Sequence, residues 1–130
     1  MHQDYFFLPI RAAVILTTGF VAGDVDITRL NASPLIRNQV NFLLDFTIGS
    51  LTSLDIKIEY SDDGSDWYQE TFETITDGAA EMSLGLYNFT ATGKYVISVP
   101  VKSANIRISA KGNGTVTSSS LKIGAMIGTV

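Results

Sequence analysis

The chain contains no cysteine, which removes disulfides, thiolate metal sites and cysteine nucleophiles at once. Histidine occurs once, at His2 close to the chain terminus, so histidine-dependent nucleophiles and zinc sites lack their usual members. Lysine and arginine total 9 and are scattered singly against 13 Asp and Glu, for a net charge of -4. That balance provides no basic footprint for nucleic acid or an anionic membrane, and neither is expected as a partner. Stretches rich in Ala, Leu, Glu and Lys are also missing, which argues against helices. The nearest thing to a long apolar run, Arg11 to Gly23 (RAAVILTTGFVAG), is diluted by Thr17, Thr18 and Gly19 and preceded by Asp4, Tyr5, Phe6 and Phe7. It falls short of the ~18 apolar residues of a membrane span and lacks a basic leader, so it is expected to be a retained structural segment.

What is present is Thr, Ser, Val, Ile and Gly, a composition that favours strands and turns. With 45% hydrophobic and 17% charged residues over 130 positions, the chain is apolar enough to fold and long enough for one domain with its own core.

Alternation with a period of two recurs along the chain. Val40, Phe42, Leu44, Phe46 and Ile48 form one face of a strand, and Leu54, Ile56, Ile58 and Tyr60 form another, opposite Asp55, Lys57, Glu59 and Ser61. Between Tyr60 and Gln69 stands YSDDGSDWYQ, in which Asp62-Asp63-Gly64-Ser65 has the chemistry of a tight turn. Trp67 to Thr74 is then expected to return antiparallel to the preceding strand, with Trp67 or Tyr68 beside Tyr60. Further strands are read at Glu81 to Phe89 (Met82, Leu84 and Leu86 on one face), at Tyr95 to Val101, at Asn105 to Lys111 and at Leu121 to Ile127. Pro100 marks a strand end, an edge or a bulge. Gly112-Asn113-Gly114 reads as a turn. Strands at this spacing predict an all-β, antiparallel β-sandwich, jelly-roll-like, over residues 40–130.

Residues 1–39 read as an N-terminal extended segment, an arm with the first strand or strands. Arg11 to Thr18 is the best strand candidate, and Asn31-Ala32-Ser33-Pro34 reads as a loop. The apolar cluster Tyr5, Phe6, Phe7, Leu8 and Ile10 must be covered, either by folding back onto its own domain or by docking on a neighbouring subunit, and docking of at least part of residues 1–12, with Arg11 available to pair with an acidic partner, is the expectation.

No catalytic, cofactor or metal site is expected. Asp55 and Glu59 are expected to lie on a strand's solvated face. Asp62, Asp63 and Asp66 could serve calcium only with carbonyls or waters completing about six oxygens, and a plain Asp-Gly turn explains them. Trp67 and Tyr68, with Asp63 nearby, are the residues that would stack on a sugar if the protein bound glycans. The N-x-S/T triplets at Asn31, Asn88 and Asn113 mean little in a chain this rich in Ser and Thr.

The pattern Ile58-Glu59-Tyr60-Ser61-Asp62-Asp63-Gly64 followed by Trp67 resembles the hairpin of discoidin-type, galactose-binding-like jelly rolls, which bind glycans, lipid headgroups or proteins. A longer likeness joins SDDGSDWYQETF to Lys94–Val130 (KYVISVPVKSANIRISAKGNGTVTSSSLKIGAMIGTV). This is similar to small β-sandwich proteins of tailed bacteriophage virions, which decorate capsids or build neck, tail or fibre parts. The resemblance implies a non-enzymatic virion protein, assembled in the host cytoplasm, whose partners are other virion proteins and copies of itself. A carbohydrate-binding module is the alternative.

Overall fold

The computed structural model describes residues 5–27 and 39–128, and these described residues form strands and no helix. They are β1 (Tyr5–Val14), β2 (Val21–Ala22), β3 (Gln39–Thr47), β4 (Leu51–Ser61), β5 (Tyr68–Gln69), β6 (Thr71–Thr76), β7 (Ala79–Leu84), β8 (Tyr87–Phe89), β9 (Gly93–Pro100), β10 (Asn105–Gly114) and β11 (Ser120–Gly128). One sheet has the order β1-β11-β3-β9 and the other β2-β10-β4-β5, with β8 pairing β4 on the same edge as β5. All these pairings are antiparallel. Apart from β4, β5 and β8, which share the second sheet, successive strands of the sandwich alternate between the two sheets, which is the jelly-roll arrangement of an antiparallel sandwich.

The alternating residues set the core. Val40, Phe42, Leu44 and Phe46 of β3 and Leu121, Ile123, Ala125 and Ile127 of β11 face Leu54, Ile56 and Ile58 of β4 and Ile106, Ile108 and Ala110 of β10, all buried. Each large side chain withdrawn from water contributes about 1.5–3 kcal/mol, so the two facing stripes hold the layers together.

The N-terminal segment supplies a first strand, as expected, but over Tyr5–Val14 rather than Arg11–Thr18. From Tyr5 it is β1, an edge strand of the first sheet, with Tyr5 opposite Gly128, Phe6 opposite Ile127 and Leu8 opposite Ala125. Its strand ends at Val14 rather than running on to Thr18. The reason lies in Ile10, which is fully buried in the common core and fixes the register. His2 and the Asn31–Pro34 loop lie outside the described residues.

Two further differences concern strand ends. β10 continues through Gly112 and Asn113 to Gly114, because β4 starts early enough to offer Leu54, Ser53 and Leu51 as partners. The strand expected over Trp67–Thr74 pairs with β4 only at Tyr68 and Gln69. The next residues leave the sandwich: β6 and β7 pair with each other as a separate two-stranded ribbon. β8 then resumes the interrupted edge at Tyr87.

Candidate functional site

The β6–β7 ribbon is an insertion within one edge position of the sandwich. Its turn is Asp77-Gly78, both with positive φ (53° and 78°), joining the pair Thr76 and Ala79. That is the two-residue turn whose twist suits a hairpin. By register, Ile75, Ala80 and Met82 share one face of the ribbon. Ile75 is 72% exposed and Met82 64% exposed, so the alternation that reads as a core face in the sequence is instead turned to solvent. Leu86, expected on the same inward stripe, is exposed in the link between β7 and β8.

The root of this ribbon is built around Glu70. Its backbone N–H donates to Ile58 O at 2.9 Å, and its carbonyl accepts from Gly85 N–H at 2.8 Å. Gln69 Nε2 adds a bond to Gly85 O at 3.0 Å. The Glu70 side chain is buried. It accepts from Tyr87 Oη at 3.0 Å and Lys102 Nζ at 3.2 Å, with Tyr60 Oη at 3.3 Å. Tyr60 Oη also lies 3.0 Å from Pro100 O, tying the cluster to the end of β9. Burial and the adjacent carboxylate push the Tyr87 hydroxyl up to about 12 and raise Tyr60 further still. Both phenols are therefore neutral donors at ordinary pH. Each carboxylate oxygen is engaged, which makes the cluster a clamp at the ribbon's base rather than a vacant acid or base.

A second feature lies on the outer face of the first sheet. Pro9, Gly124, Leu43 and Val96 stand side by side across its strands, with Phe7, Asp45, Lys94 and Lys122 in the neighbouring rows. Gly124 makes a dent: a Cβ there would lie 2.8 Å from Phe7 Cε1, so the Phe7 ring rests over the missing side chain. The result is an open groove of about 360 Å³. Its apolar walls include Phe7 (50% exposed), Leu43 and Val96 (61% exposed), and Lys94 pairs with Asp45 at 3.6 Å on its rim. Exposed apolar surface framed by charge is the signature of a contact surface.

The residues singled out from the sequence fall in several places. Of the expected partner-binding set, Phe7 lines the groove, while Leu8 packs against the core. The side chains of Tyr5 and Phe6 lie outside the described residues. Arg11 is not available to an acidic partner in the manner expected. Its Nε donates to Leu121 O at 3.0 Å and its Nη2 to Ile15 O at 2.9 Å, spanning the irregular end of the β1–β11 pairing. Burial lowers its guanidinium from the usual value, partly offset by Asp24.

At the Asp-Gly turn, Asp63 Oδ1 accepts from Ser65 N–H at 2.8 Å and Asp66 N–H at 2.9 Å, and Gly64 takes a φ of 79°. These bonds, Asp66 first, hold its carboxyl below the ordinary range. Trp67 lies against Arg107, whose guanidinium carbon is 4.2 Å from the ring centroid. Arg107 in turn donates to Glu59 Oε1 at 3.0 and 3.2 Å. Glu59 is thus buried under this stack, not solvated as its place on the polar face of β4 suggests. Tyr68, opposite Tyr60, is 66% exposed. Among the described residues, no group of three or more His, Asp or Glu is placed to hold a metal.

No protein-family model matches the chain, and a search of curated proteins finds no relative.

Proposed function

We propose that this chain is a non-enzymatic structural protein that assembles through protein–protein contacts, as a component of a phage virion of the capsid decoration, cement, neck or tail type. The observation that carries the assembly reading is the ribbon: an edge strand interrupted to project a hairpin with exposed Ile75 and Met82, clamped at its root by buried Glu70. A domain with no need of a partner gains nothing by holding such side chains in water. The resemblance of SDDGSDWYQETF and Lys94–Val130 to small virion sandwich proteins supplies the setting, and jelly rolls are common in viral capsids. The non-enzymatic part is supported by charged groups already engaged within the fold: Glu70 by Tyr87 and Lys102, Glu59 by Arg107, and Asp63 by its own turn.

Glycan recognition draws less support from the geometry. One face of Trp67 is taken by Arg107 and Asp63 is committed to the turn, which leaves Tyr68 as the exposed aromatic of the three. Quantitative mass spectrometry of washed virions tests the proposal. The polypeptide should appear at a fixed ratio to the major capsid protein, and its absence from particles would refute the virion role.

A further inference from the structure

The ribbon and the groove have matching chemistry on different parts of one molecule. We propose that the β6–β7 ribbon of one copy seats in the Gly124 groove of another copy of this chain. Such a contact joins two different patches, so it is heterologous and can propagate from copy to copy around a ring or lattice.

Three observations select a second copy as the occupant. The first is apolar complementarity: the ribbon presents Ile75 and Met82 to solvent, and the groove presents Phe7, Leu43 and Val96. The second is charge. Residues 71–84 (TFETITDGAAEMSL) contain three acidic residues, Glu73, Asp77 and Glu81, and no Lys or Arg. The groove contributes Lys94 and Lys122 against Asp45, an excess of positive charge. The chain as a whole is acidic, so this local positive excess is one that an acidic ribbon can match.

The third is size. A ribbon strand of this length spans about 20 Å, and the first sheet measures about 14 Å from its first strand to its last, so the ribbon can lie across it. With no Cβ at Gly124, the Phe7 ring lies close against the sheet and leaves the space above it to an inserted side chain. One ribbon face covers less than the ~1,000 Å² of a stable pairwise interface. Each contact is therefore weak alone, and assemblies gain their strength from several contacts at once.

The absence of cysteine gives a clean background for site-directed cross-linking. Ile75→Cys and Val96→Cys are both at exposed positions, so each variant is expected to retain the parent melt. Mild oxidation of the two single variants, separately and mixed at high concentration, then reads the contact. The proposal expects several-fold more covalent dimer in the mixture than in either variant alone. Adding Lys94→Glu and Lys122→Glu to the groove variant should reduce that yield, as should added salt.

Three results would overturn it. The first is cross-linking of Ile75→Cys alone as strong as that of the mixture, which shows ribbons paired with each other. The second is a chain carrying both Ile75→Cys and Val96→Cys that closes on itself and runs as a monomer, which shows the ribbon folded onto its own groove. The third is a mixture that gives no more dimer than a Ser65→Cys and Val96→Cys control. This inference rests on the assembly reading, but the two fail separately: presence in virions without the cross-link refutes only the ribbon–groove contact, and the cross-link without presence in virions refutes only the virion role.

Discussion

Glu70 shows how one residue in the middle of an edge strand can serve two structures. Its backbone still pairs with β4, while its side chain gathers Tyr60, Tyr87 and Lys102 where the ribbon departs. Replacing Glu70 with Ala would take the carboxylate acceptor from the Tyr60 and Tyr87 hydroxyls, while the half-exposed Lys102 turns to water, and a loss of about 1–3 kcal/mol is expected in denaturant unfolding. The phenols give a pH signature. Both have folded values raised above the ~10 of an unfolded tyrosine. The unfolded chain therefore releases these protons first, and the stability they contribute is complete below about pH 10 and lost as pH rises through the folded values. A melt series should be nearly flat from neutral pH to about 9 and fall steeply above 10. Tyr87→Phe should soften that fall.

At Trp67 the expected change is of another kind. Trp67→Ala removes the cover from Arg107 and Glu59 and should cost about 2 kcal/mol, less than a fully buried tryptophan would. A variant of unchanged stability that lost binding on a glycan array would instead favour the sugar reading.

Among the elements, those with an apolar inner face were legible in the sequence. The inward apolar residues of β3, β4, β9, β10 and β11 recur with period two and form the core or pack against it, although Glu59, Ser61 and Ser109 on the opposite face of their sheet are buried as well. β1 was harder, because an edge strand that also lines a surface groove carries apolar residues on both faces, and Tyr5-Phe6-Phe7-Leu8 loses its alternation. The ribbon's signal was present in Thr76-Asp77-Gly78-Ala79, an Asp-Gly turn between alternating residues. What pattern alone does not tell is whether such a hairpin lies on the core or stands clear of it, since Ile75 and Met82 look inward-facing by period. The Glu70 clamp was not legible either, because its partners come from positions 60, 87 and 102, brought together only by the fold.

The ribbon's separation from the core carries its own prediction. Replacing residues 71–84 with a short Gly-Ser link should leave a cooperatively folding sandwich, since no described side chain of this segment belongs to the buried core and its strands pair only with each other. Its melting temperature should fall by only a few degrees, the shift that about 1 kcal/mol produces in a domain of this size. Collapse of the fold in circular dichroism would show the ribbon to be structural.

For the whole molecule, the consequence is a division of labour: a jelly-roll body with a buried core of its own, and two surface features, groove and ribbon, whose exposed apolar residues the proposed assembly would cover. Gly124→Ala separates the two. The new methyl meets only the outer end of the Phe7 ring, which is free to swing, so stability should change by less than about 1 kcal/mol. The groove, however, is filled, and self-association in sedimentation velocity should weaken. The most direct measurement is particle occupancy. Virions grown with the intact chain or with the ribbon-deleted chain would be purified, washed and quantified for the protein. The intact chain should be retained at constant copy number, while the deleted chain, folded and equally expressed, should be lost from particles. Equal retention of both would contradict assembly through the ribbon.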